Sequence, residues 1–166
     1  MRFYGFGNYY LSSLQQGLQA GHTISELFVK YTPKQSGMTT GGLHSIYTWA
    51  RNHKTMVLLN GGNSKDLQNL YEFLESTCGQ FPFAKFHEDE QSLNCALTYV
   101  GIILPSYIYD TAAAIRNGSA IFNEDGSVTV PVTEEVGESI SSTLDFNLTE
   151  NELELCQRLN MCGLAK

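Results

Sequence analysis

The stretch FYGFGNYYLSSLQQGLQAGHTISELFVKY, residues 3–31, contains the signals that decide the fold. It begins as an aromatic and glycine-rich strand over about residues 2–7, and a polar turn follows at Asn8. Ser12 and Gln15 form the S-x-x-Q version of a capping box, in which two side chains satisfy backbone donors at the start of a helix. The stretch therefore predicts a strand, a turn and a long helix over about residues 13–31.

The predicted helix has an apolar face and a polar face. Apolar residues recur at helical spacing, and we expect all of them to face a core: Leu14, Leu18, Ile24, Leu27, Phe28 and Tyr31. Polar residues follow one another at steps of four, three and four, which places them on one stripe: Gln15, Gln19, His22 and Glu26. The stripe is a candidate site for binding or chemistry. The alternative is an ordinary solvated helix face.

Composition indicates a globular protein. The chain has 166 residues, of which 42% are hydrophobic and 16% charged, enough for one well-buried domain with a small appendage. Its four cysteines show neither a C-x-x-C pair nor zinc spacing, which is typical of reduced thiols in an intracellular protein. No apolar run has the length of a signal peptide core or a membrane span, so we expect a soluble, cytosolic protein without a membrane partner.

The net charge of −7 is unevenly distributed. Residues 1–60 carry five basic side chains and one acid, a net charge of +4, whereas residues 61–166 carry five basic side chains and sixteen acids, a net charge of −11. Long nucleic acid is a poor fit to this chain, because its binding depends on many phosphate contacts. A small anion with one or two phosphates, held near the basic half, is compatible with the charge pattern.

The elements that follow predict a compact α/β domain over residues 1–105. A helix is expected at about 43–53, a strand buried on both faces at 55–60, a helix from Ser64 to about Cys78, an edge strand at 83–87 and a strand at 97–104. The order is β-α-α-β-α-β-β, which predicts a small mixed sheet of about four strands flanked by helices. Gly61-Gly62-Asn63 before a helix can cradle a phosphate, although the P-loop signature is missing.

Residues 106–166 are predicted to form an acidic C-terminal extension. We expect a helix at 106–118, a hairpin of 120–122 with 127–132, a helix from about Glu134, and a last helix opened by a Thr149/Glu152 capping box. Its apolar residues are too few for a separate core: Leu153, Cys156, Leu159 and Leu164. The extension is therefore expected to pack on the α/β body or, our preferred interpretation, on another subunit in a homo-oligomer, for which a tetramer is one candidate.

The strand, polar turn and helix with Q-x-x-H resemble the type-II peptidyl-tRNA hydrolase superfamily, over roughly residues 1–105. Members carry a helix signature of the form G-K-x-x-A-Q-x-x-H-A, against which this chain has LQQGLQAGHT, residues 14–23. Gln19 matches the glutamine and His22 the histidine. A second family segment, D-A-G-x-T-Q, precedes the last strand, where this chain has EDEQSL, residues 88–93. The resemblance implies that fold.

The departures from the family pattern bear on catalysis. Gln15 occupies the lysine position and Leu14 the glycine position, while Glu88 and Ser92 occupy the aspartate and threonine positions and Glu90 replaces the glycine. A hydrolase of this kind uses a lysine ammonium beside a carboxylate and a hydroxyl to orient water and stabilise an oxyanion. An uncharged amide at the lysine position favours binding over hydrolysis.

The segment NYYLSSLQQGLQAGH, residues 8–22, also resembles proteins of tailed phages on this scaffold. They include sponges that bind cyclic dinucleotide signals of the bacterial CBASS immune system, such as cyclic GMP-AMP, without cleaving them. The resemblance implies immune evasion in the cytoplasm of an infected bacterium. Stacking of tyrosines on bases, amide pairing with purine edges, and phosphates held by serines and a cation fit that function. The candidate ligand-binding residues are Asn8, Tyr9, Tyr10, Ser12, Ser13, Gln15, Gln16, Gln19, His22 and Arg51.

Two alternatives stay open at this point. One is a divergent peptidyl-tRNA hydrolase that works with Glu88, Ser92, His22 and Gln19, and the other is an interaction domain whose acidic tail binds a partner protein. Tyr9 and Tyr10 have a structural alternative as a packed aromatic entry to the helix. The histidines do not combine with cysteines or acids at ligand spacing, so neither a metal nor a cofactor is expected.

Overall fold

The computed structural model describes residues 1–33, 41–93, 95–132 and 142–165. The chain forms two compact units, one made of Met1–Leu104 together with the chain from Cys162 onward, and one made of Pro105–Met161. The first unit contains a four-stranded mixed sheet and the second a three-stranded sheet. The predicted α/β class with a small mixed sheet of four strands is confirmed.

The sheet of the first unit has the strand order β2-β1-β4-β3. β1 and β2 are parallel, and β4 is antiparallel to both β1 and β3. The unit contains, in chain order, β1 (Arg2–Gly7), α1 (Ser13–Tyr31), α2 (Gly41–Thr48), a π-helical segment (Trp49–His53), β2 (Met56–Asn60), α3 (Ser64–Thr77), β3 (Phe83–His87), α4 (Glu90–Leu93) and β4 (Leu97–Leu104).

Two predicted elements of this unit differ from the structure. β2 is an edge strand with Met56 and Asn60 exposed, so the prediction of a strand buried on both faces was wrong. A short apolar run in the sequence does not show whether the strand has a neighbouring strand on both sides or on one side only. The single helix expected at 43–53 is α2 followed by the π-helical segment, which ends at Lys54 in a left-handed conformation.

α1 has the predicted bounds, and both hydrogen bonds of its Ser12/Gln15 capping box are present. The predicted apolar face is confirmed in the second half of the helix, where Leu27 is buried and Ile24, Phe28 and Tyr31 pack on the core. It was wrong in the first half, where Leu14 is 74% exposed and Leu18 is also exposed, whereas Gln16 and Gln19 are buried against the sheet. Gly7 of β1 explains this difference, because a methyl group there would lie 1.7 Å from Oε1 of Gln16. The absence of a side chain at Gly7 leaves space for the polar side chain of Gln16 against the sheet.

The core of the first unit lies between the sheet and the helices α1 and α2. Phe3, Leu27, Ile46, Trp49 and Ile103 are all buried there, and the rings of Phe3 and Trp49 are 5.9 Å apart. Every position of β4 is buried, because α3 packs against β4 as well. β4 is therefore an interior strand of the sheet that is buried along its whole length.

The second unit contains α5 (Ser106–Asn117), β5 (Ile121–Phe122), β6 (Val128–Val132), β7 (Ser142–Phe146) and α6 (Glu150–Met161). The hairpin of β5 with β6 and the Thr149/Glu152 capping box are confirmed. β7 was not predicted, and the helix expected from about Glu134 begins at residues outside the described ranges. No helix within those ranges is both long and apolar enough to cross a membrane.

The second unit has a core of its own, so the prediction that this segment holds too few apolar residues for one was wrong. Ala114, Val128 and Val130 are buried together. α6 packs on α5, with the thiol of Cys156 3.4 Å from the carbonyl oxygen of Ile108. The prediction counted the apolar residues of the last helix alone and did not include those of α5 and the hairpin. Its role in oligomerisation stays a prediction.

Candidate functional site

The candidate site lies at the carboxyl ends of the parallel strands β1 and β2. Two loops leave these ends side by side, and backbone hydrogen bonds join them: Gly61 donates to Gly7 at 2.8 Å and Tyr9 donates to Gly62 at 2.8 Å. In open α/β sheets, ligands bind in the crevice outside the carboxyl ends of the strands. This edge of the sheet is therefore where a ligand is expected.

Asn8 is the first of three buried amide side chains at this edge. Its Nδ2 donates to the hydroxyl of Ser64 at 3.0 Å, and that hydroxyl donates to the carbonyl of Leu97 at 3.0 Å. Because the hydroxyl proton is used by Leu97, the hydroxyl must accept from Asn8, which fixes the orientation of the amide. Oδ1 of Asn8 is then buried without a partner among the described residues.

Gln16 and Gln19 repeat this arrangement on α1. Nε2 of Gln16 donates to the carbonyl of Asn8 at 3.0 Å, and Nε2 of Gln19 donates to the carboxylate of Glu88. Carbonyl and carboxylate oxygens only accept, so both orientations are fixed. Within the described chain, Oε1 of each glutamine is buried and unpartnered. Each of the three amides thus has an oxygen that is shielded from solvent and has no donor partner among the described residues, which is uncommon because buried polar groups are nearly always paired.

Tyr9 and Tyr10 form an exposed aromatic rim beside these amides. Tyr9 is 65% exposed and Tyr10 47%, and their rings meet edge to face with centroids 6.0 Å apart. Burial, and to a lesser degree the Glu88 carboxylate and Tyr9, raise the pKa of the Tyr10 phenol. Tyr10 is therefore near the Gln19–Glu88 pair and remains a neutral donor. The alternative of a packed aromatic entry does not fit rings this exposed.

A pocket of about 300 Å³ opens next to Gln16. It is formed by the loops after β1 and β2, the start of α1 and the chain after α6. The side chains that line it are all uncharged: Tyr9, Leu11, Gln16, Asn60, Gly163, Leu164 and Ala165. Such a pocket suits an uncharged group with polar edges better than a phosphate.

The predicted phosphate contacts at the start of α1 are not supported. The oxygen of Gln15 accepts from both the backbone nitrogen and the hydroxyl of Ser12, each at 2.9 Å, so these two side chains serve the helix cap. Only Nε2 of Gln15 is left to contact a ligand. Ser13 is exposed at the first position of the helix and lies outside the pocket lining.

The Gly61-Gly62-Asn63 turn is likewise not a phosphate cradle. Oδ1 of Asn63 accepts from the backbone nitrogens of Lys65 and Asp66 at 2.8 and 3.2 Å, and the carboxylate of Asp66 accepts from the Asn63 nitrogen. The donors that would bind an anion are thus occupied, and Asp66 would repel one. The sequence pattern identified a capped helix start and not an anion site.

Two further predicted residues are separated from the pocket. The imidazole of His22 is stacked on Phe86 of β3, with ring centroids 4.6 Å apart, so it packs on the sheet edge and does not line the pocket. Arg51 is exposed in the π-helical segment that leads to the amino end of β2. The pocket is at the opposite end of that strand, roughly 16 Å away at the usual rise per residue. Arg51 therefore lies away from this pocket, and a contact of Arg51 with a ligand stays a prediction.

The structure also adds residues that the sequence did not predict as ligand contacts. Leu11, Asn60 and the segment 163–165 line the pocket, and Glu88 holds Gln19. Only Asn60 had a local signal, because it follows an apolar strand and precedes a Gly-Gly turn. The side chain of Ser92 lies outside the described part of the chain. Among the described residues, no cluster of three histidine, cysteine or acidic side chains could hold a metal ion.

Removal of the Glu88 carboxylate is expected to destabilise the first unit. In Glu88→Ala the buried amide of Gln19 loses its acceptor, which we expect to lower the free energy of unfolding by about 1–2 kcal/mol. Urea titration followed by Trp49 fluorescence measures it, because Trp49 is the single tryptophan and lies in this core. The matched control is Glu72→Ala, which removes the exposed Gln68–Glu72 bond and should change stability by less than about 0.5 kcal/mol. Equal effects of the two variants would contradict a structural role for the Gln19–Glu88 pair.

Comparison with known proteins gives no assignment: no protein-family model matches the chain, and no curated protein matches its sequence.

Proposed function

We propose that this protein binds and sequesters a cyclic dinucleotide, such as cyclic GMP-AMP, without cleaving it. In this proposal the first unit has a type-II peptidyl-tRNA hydrolase-like fold, and the protein acts as a phage immune-evasion factor against CBASS in the cytoplasm of an infected bacterium. The order and mixed pairing of the strands are compatible with that fold. The resemblance of residues 8–22 to phage sponges supports the ligand class.

The observation that carries the proposal is an uncharged pocket beside the exposed ring of Tyr9, with Gln16 among its lining residues. Nucleobases have polar edges that suit an uncharged lining and flat faces for stacking on the Tyr9 ring. A cyclic dinucleotide has only two phosphates, so it avoids the repulsion that an acidic chain exerts on long nucleic acid. Lys65 is exposed in the first turn of α3, the helix that begins at this edge.

The same residues favour binding over turnover. The amide at the family's lysine position, that of Gln15, carries no charge and uses its oxygen in the α1 cap. Glu88, at the family's aspartate position, accepts from the Gln19 amide, and within the described ranges it forms no ion pair with a lysine. Among the residues that the structure describes, a general base and an oxyanion stabiliser for hydrolysis therefore lack their usual cationic partner. Preorganised amides are sufficient for sequestration.

Recovery of the ligand separates sequestration from catalysis. The purified chain is incubated with cyclic GMP-AMP, passed through a desalting column and heated, and the supernatant is analysed by chromatography. We expect intact cyclic GMP-AMP to be released in stoichiometric amount. Linear or mononucleotide products, or ligand that never co-elutes with the protein at micromolar concentration, would refute the proposal.

The alternative function is a divergent peptidyl-tRNA hydrolase, which the contact between Gln19 and Glu88 favours. These residues occupy two motif positions that the resemblance assigns to the active site, and they are 69 residues apart in sequence. If this alternative holds, the protein releases the peptide from peptidyl-tRNA and Glu88→Gln abolishes the release. No deacylation above the buffer rate would exclude it.

Homo-oligomerisation through the second unit belongs to the proposal as well. Sedimentation velocity of the whole chain tests it, and a monomeric mass at micromolar concentration would remove this part while leaving the ligand proposal in place.

A further inference from the structure

A group of ionisable and aromatic side chains lies at the outer edge of β3, which is the opposite edge of the sheet from β2. Near the end of α1, the ammonium of Lys30 donates to the carbonyl of Phe83 at 3.0 Å and lies 3.7 Å from the centroid of the Phe83 ring. The hydroxyl of Tyr31 accepts from the backbone nitrogen of Phe83 at 3.2 Å. These bonds join the end of α1 to β3 and hold the Lys30 nitrogen at this edge.

Lys85 of β3 places a second ammonium beside the first. Its Nζ lies 4.2 Å from the centroid of the Tyr71 ring, and Nζ of Lys30 lies 5.6 Å from the same centroid. Within the described ranges, neither ammonium forms an ion pair with a carboxylate. Two neighbouring cations without an ion-pair partner repel each other, and an anion that binds beside them lowers this repulsion.

The surroundings of Lys30 favour the neutral form of its amine. Burial beside the aromatic rings lowers the pKa of Lys30, the Glu75 carboxylate of α3 raises it, and the Lys85 ammonium lowers it. The phenols of Tyr31 and Tyr71 are neutral neighbours, because burial raises both of their pKa values. A lysine that is partly desolvated beside another cation is an activated nucleophile, since only the neutral amine has a lone pair for attack. The side chain of Lys30 is also exposed to solvent, so a reagent can reach it.

We propose that Lys30 is a site of covalent acylation by acyl phosphates, and that Lys85 is the cation that binds the phosphate group of the reagent. The lone pair of the Lys30 nitrogen attacks the carbonyl carbon, the bond from that carbon to the phosphate oxygen breaks, and phosphate leaves with the electron pair. The nitrogen releases a proton to water, and the product is an amide, so neither an oxidant nor a reductant is needed. This site is separate from the pocket at β1 and β2 and does not depend on the proposed function.

Acetyl phosphate is the probe that tests the reaction. The full chain is incubated with it at pH 7, digested with a protease that does not cleave at lysine, and analysed by peptide mass spectrometry over time. Lys54 and Lys65, which are both exposed, are the internal controls. We expect Lys30 to be acetylated roughly threefold faster than either control or more, and its rate to reach a plateau at a lower pH than theirs. Acetylation of Lys30 no faster than that of the controls would overturn the proposal.

Two charge variants have opposite expected effects on the acetylation of Lys30. Lys85→Gln removes the phosphate-binding cation and the like charge, so it should slow the reaction at pH 7 by roughly threefold or more. Glu75→Gln removes the carboxylate that favours the charged amine and should accelerate it. Lys65→Gln is the matched control and should leave the rate unchanged. If all three variants react like the parent chain, Lys30 is not activated by its neighbours and the proposal fails.

An uncharged acetyl ester of N-hydroxysuccinimide tests the part assigned to Lys85. This reagent has no phosphate to bind, so Lys85→Gln should slow its reaction with Lys30 less than the reaction with acetyl phosphate. Equal slowing with both reagents would overturn the phosphate contact. Thermal unfolding of each variant is measured alongside, and because residues 75 and 85 are not fully buried we expect midpoints close to that of the parent chain.

Discussion

Replacing Tyr9 with alanine is expected to weaken cyclic GMP-AMP binding by about 1–3 kcal/mol, the scale of a lost base stack. Tyr9 lines the pocket and has most of its surface exposed, so the ring is available to a ligand and contributes little to the core. Isothermal titration of the variant and the parent chain measures the change. The unfolding midpoint should stay close to that of the parent.

Tyr47→Ala is the matched control for this prediction. Tyr47 is a half-exposed tyrosine on α2, its ring meets that of Phe28 at 5.8 Å, and it lies outside the pocket lining. We expect its removal to leave the affinity unchanged. If Tyr9→Ala binds as tightly as Tyr47→Ala, the aromatic rim is not part of the ligand site.

Gly7→Ala is expected to produce the largest loss of stability among single methyl additions. The new methyl group would lie 1.7 Å from Oε1 of Gln16 and 2.7 Å from the ring of Tyr99, and both of these side chains are buried. Overpacking of this kind typically costs about 1–3 kcal/mol, and we expect the upper end because two buried groups must move. Urea unfolding followed by Trp49 fluorescence measures the free energy of unfolding.

The change of Gly17 to alanine should raise the free energy of unfolding, whereas Gly7→Ala should lower it. Gly17 lies within α1, and a methyl group there meets nothing within 4 Å. Alanine favours the helix over glycine by about 1 kcal/mol, so Gly17→Ala should raise the stability. A neutral Gly7→Ala would show that the missing side chain at Gly7 does not make the space that Gln16 occupies, and destabilisation by Gly17→Ala would contradict the open surroundings of Gly17.

Local signals in the sequence predicted the bounds of α1 and its cap, because Ser12 and Gln15 are three residues apart and interact with each other. They could not predict which side of the first half of α1 is buried. Helical spacing groups Leu14 with Leu18 and Gln16 with Gln19, but the choice between these faces depends on Gly7 of β1, which meets Gln16. The side chain of Gln16 fits against the sheet because Gly7 has no side chain.

The candidate site was predictable only where its residues are close together in the sequence. Asn8, Tyr9 and Gln16 belong to one continuous stretch, so the sequence could place them together. The pairing of residues 163–165 with β2 joins segments about 100 residues apart. Because it leaves no periodic pattern in the sequence, no local signal predicts it. Arg51 was grouped with these residues because of its charge, but the structure places it at the amino end of β2, away from the pocket, and this position depends on the sheet.

The most direct test of sequestration is native mass spectrometry of the whole chain, purified from bacteria that produce cyclic dinucleotides. We expect the protein to carry an additional mass equal to an intact cyclic dinucleotide, and Leu164→Trp, purified in the same way, to carry less of it. Protein without bound nucleotide, or bound linear product in place of the cyclic molecule, would refute sequestration.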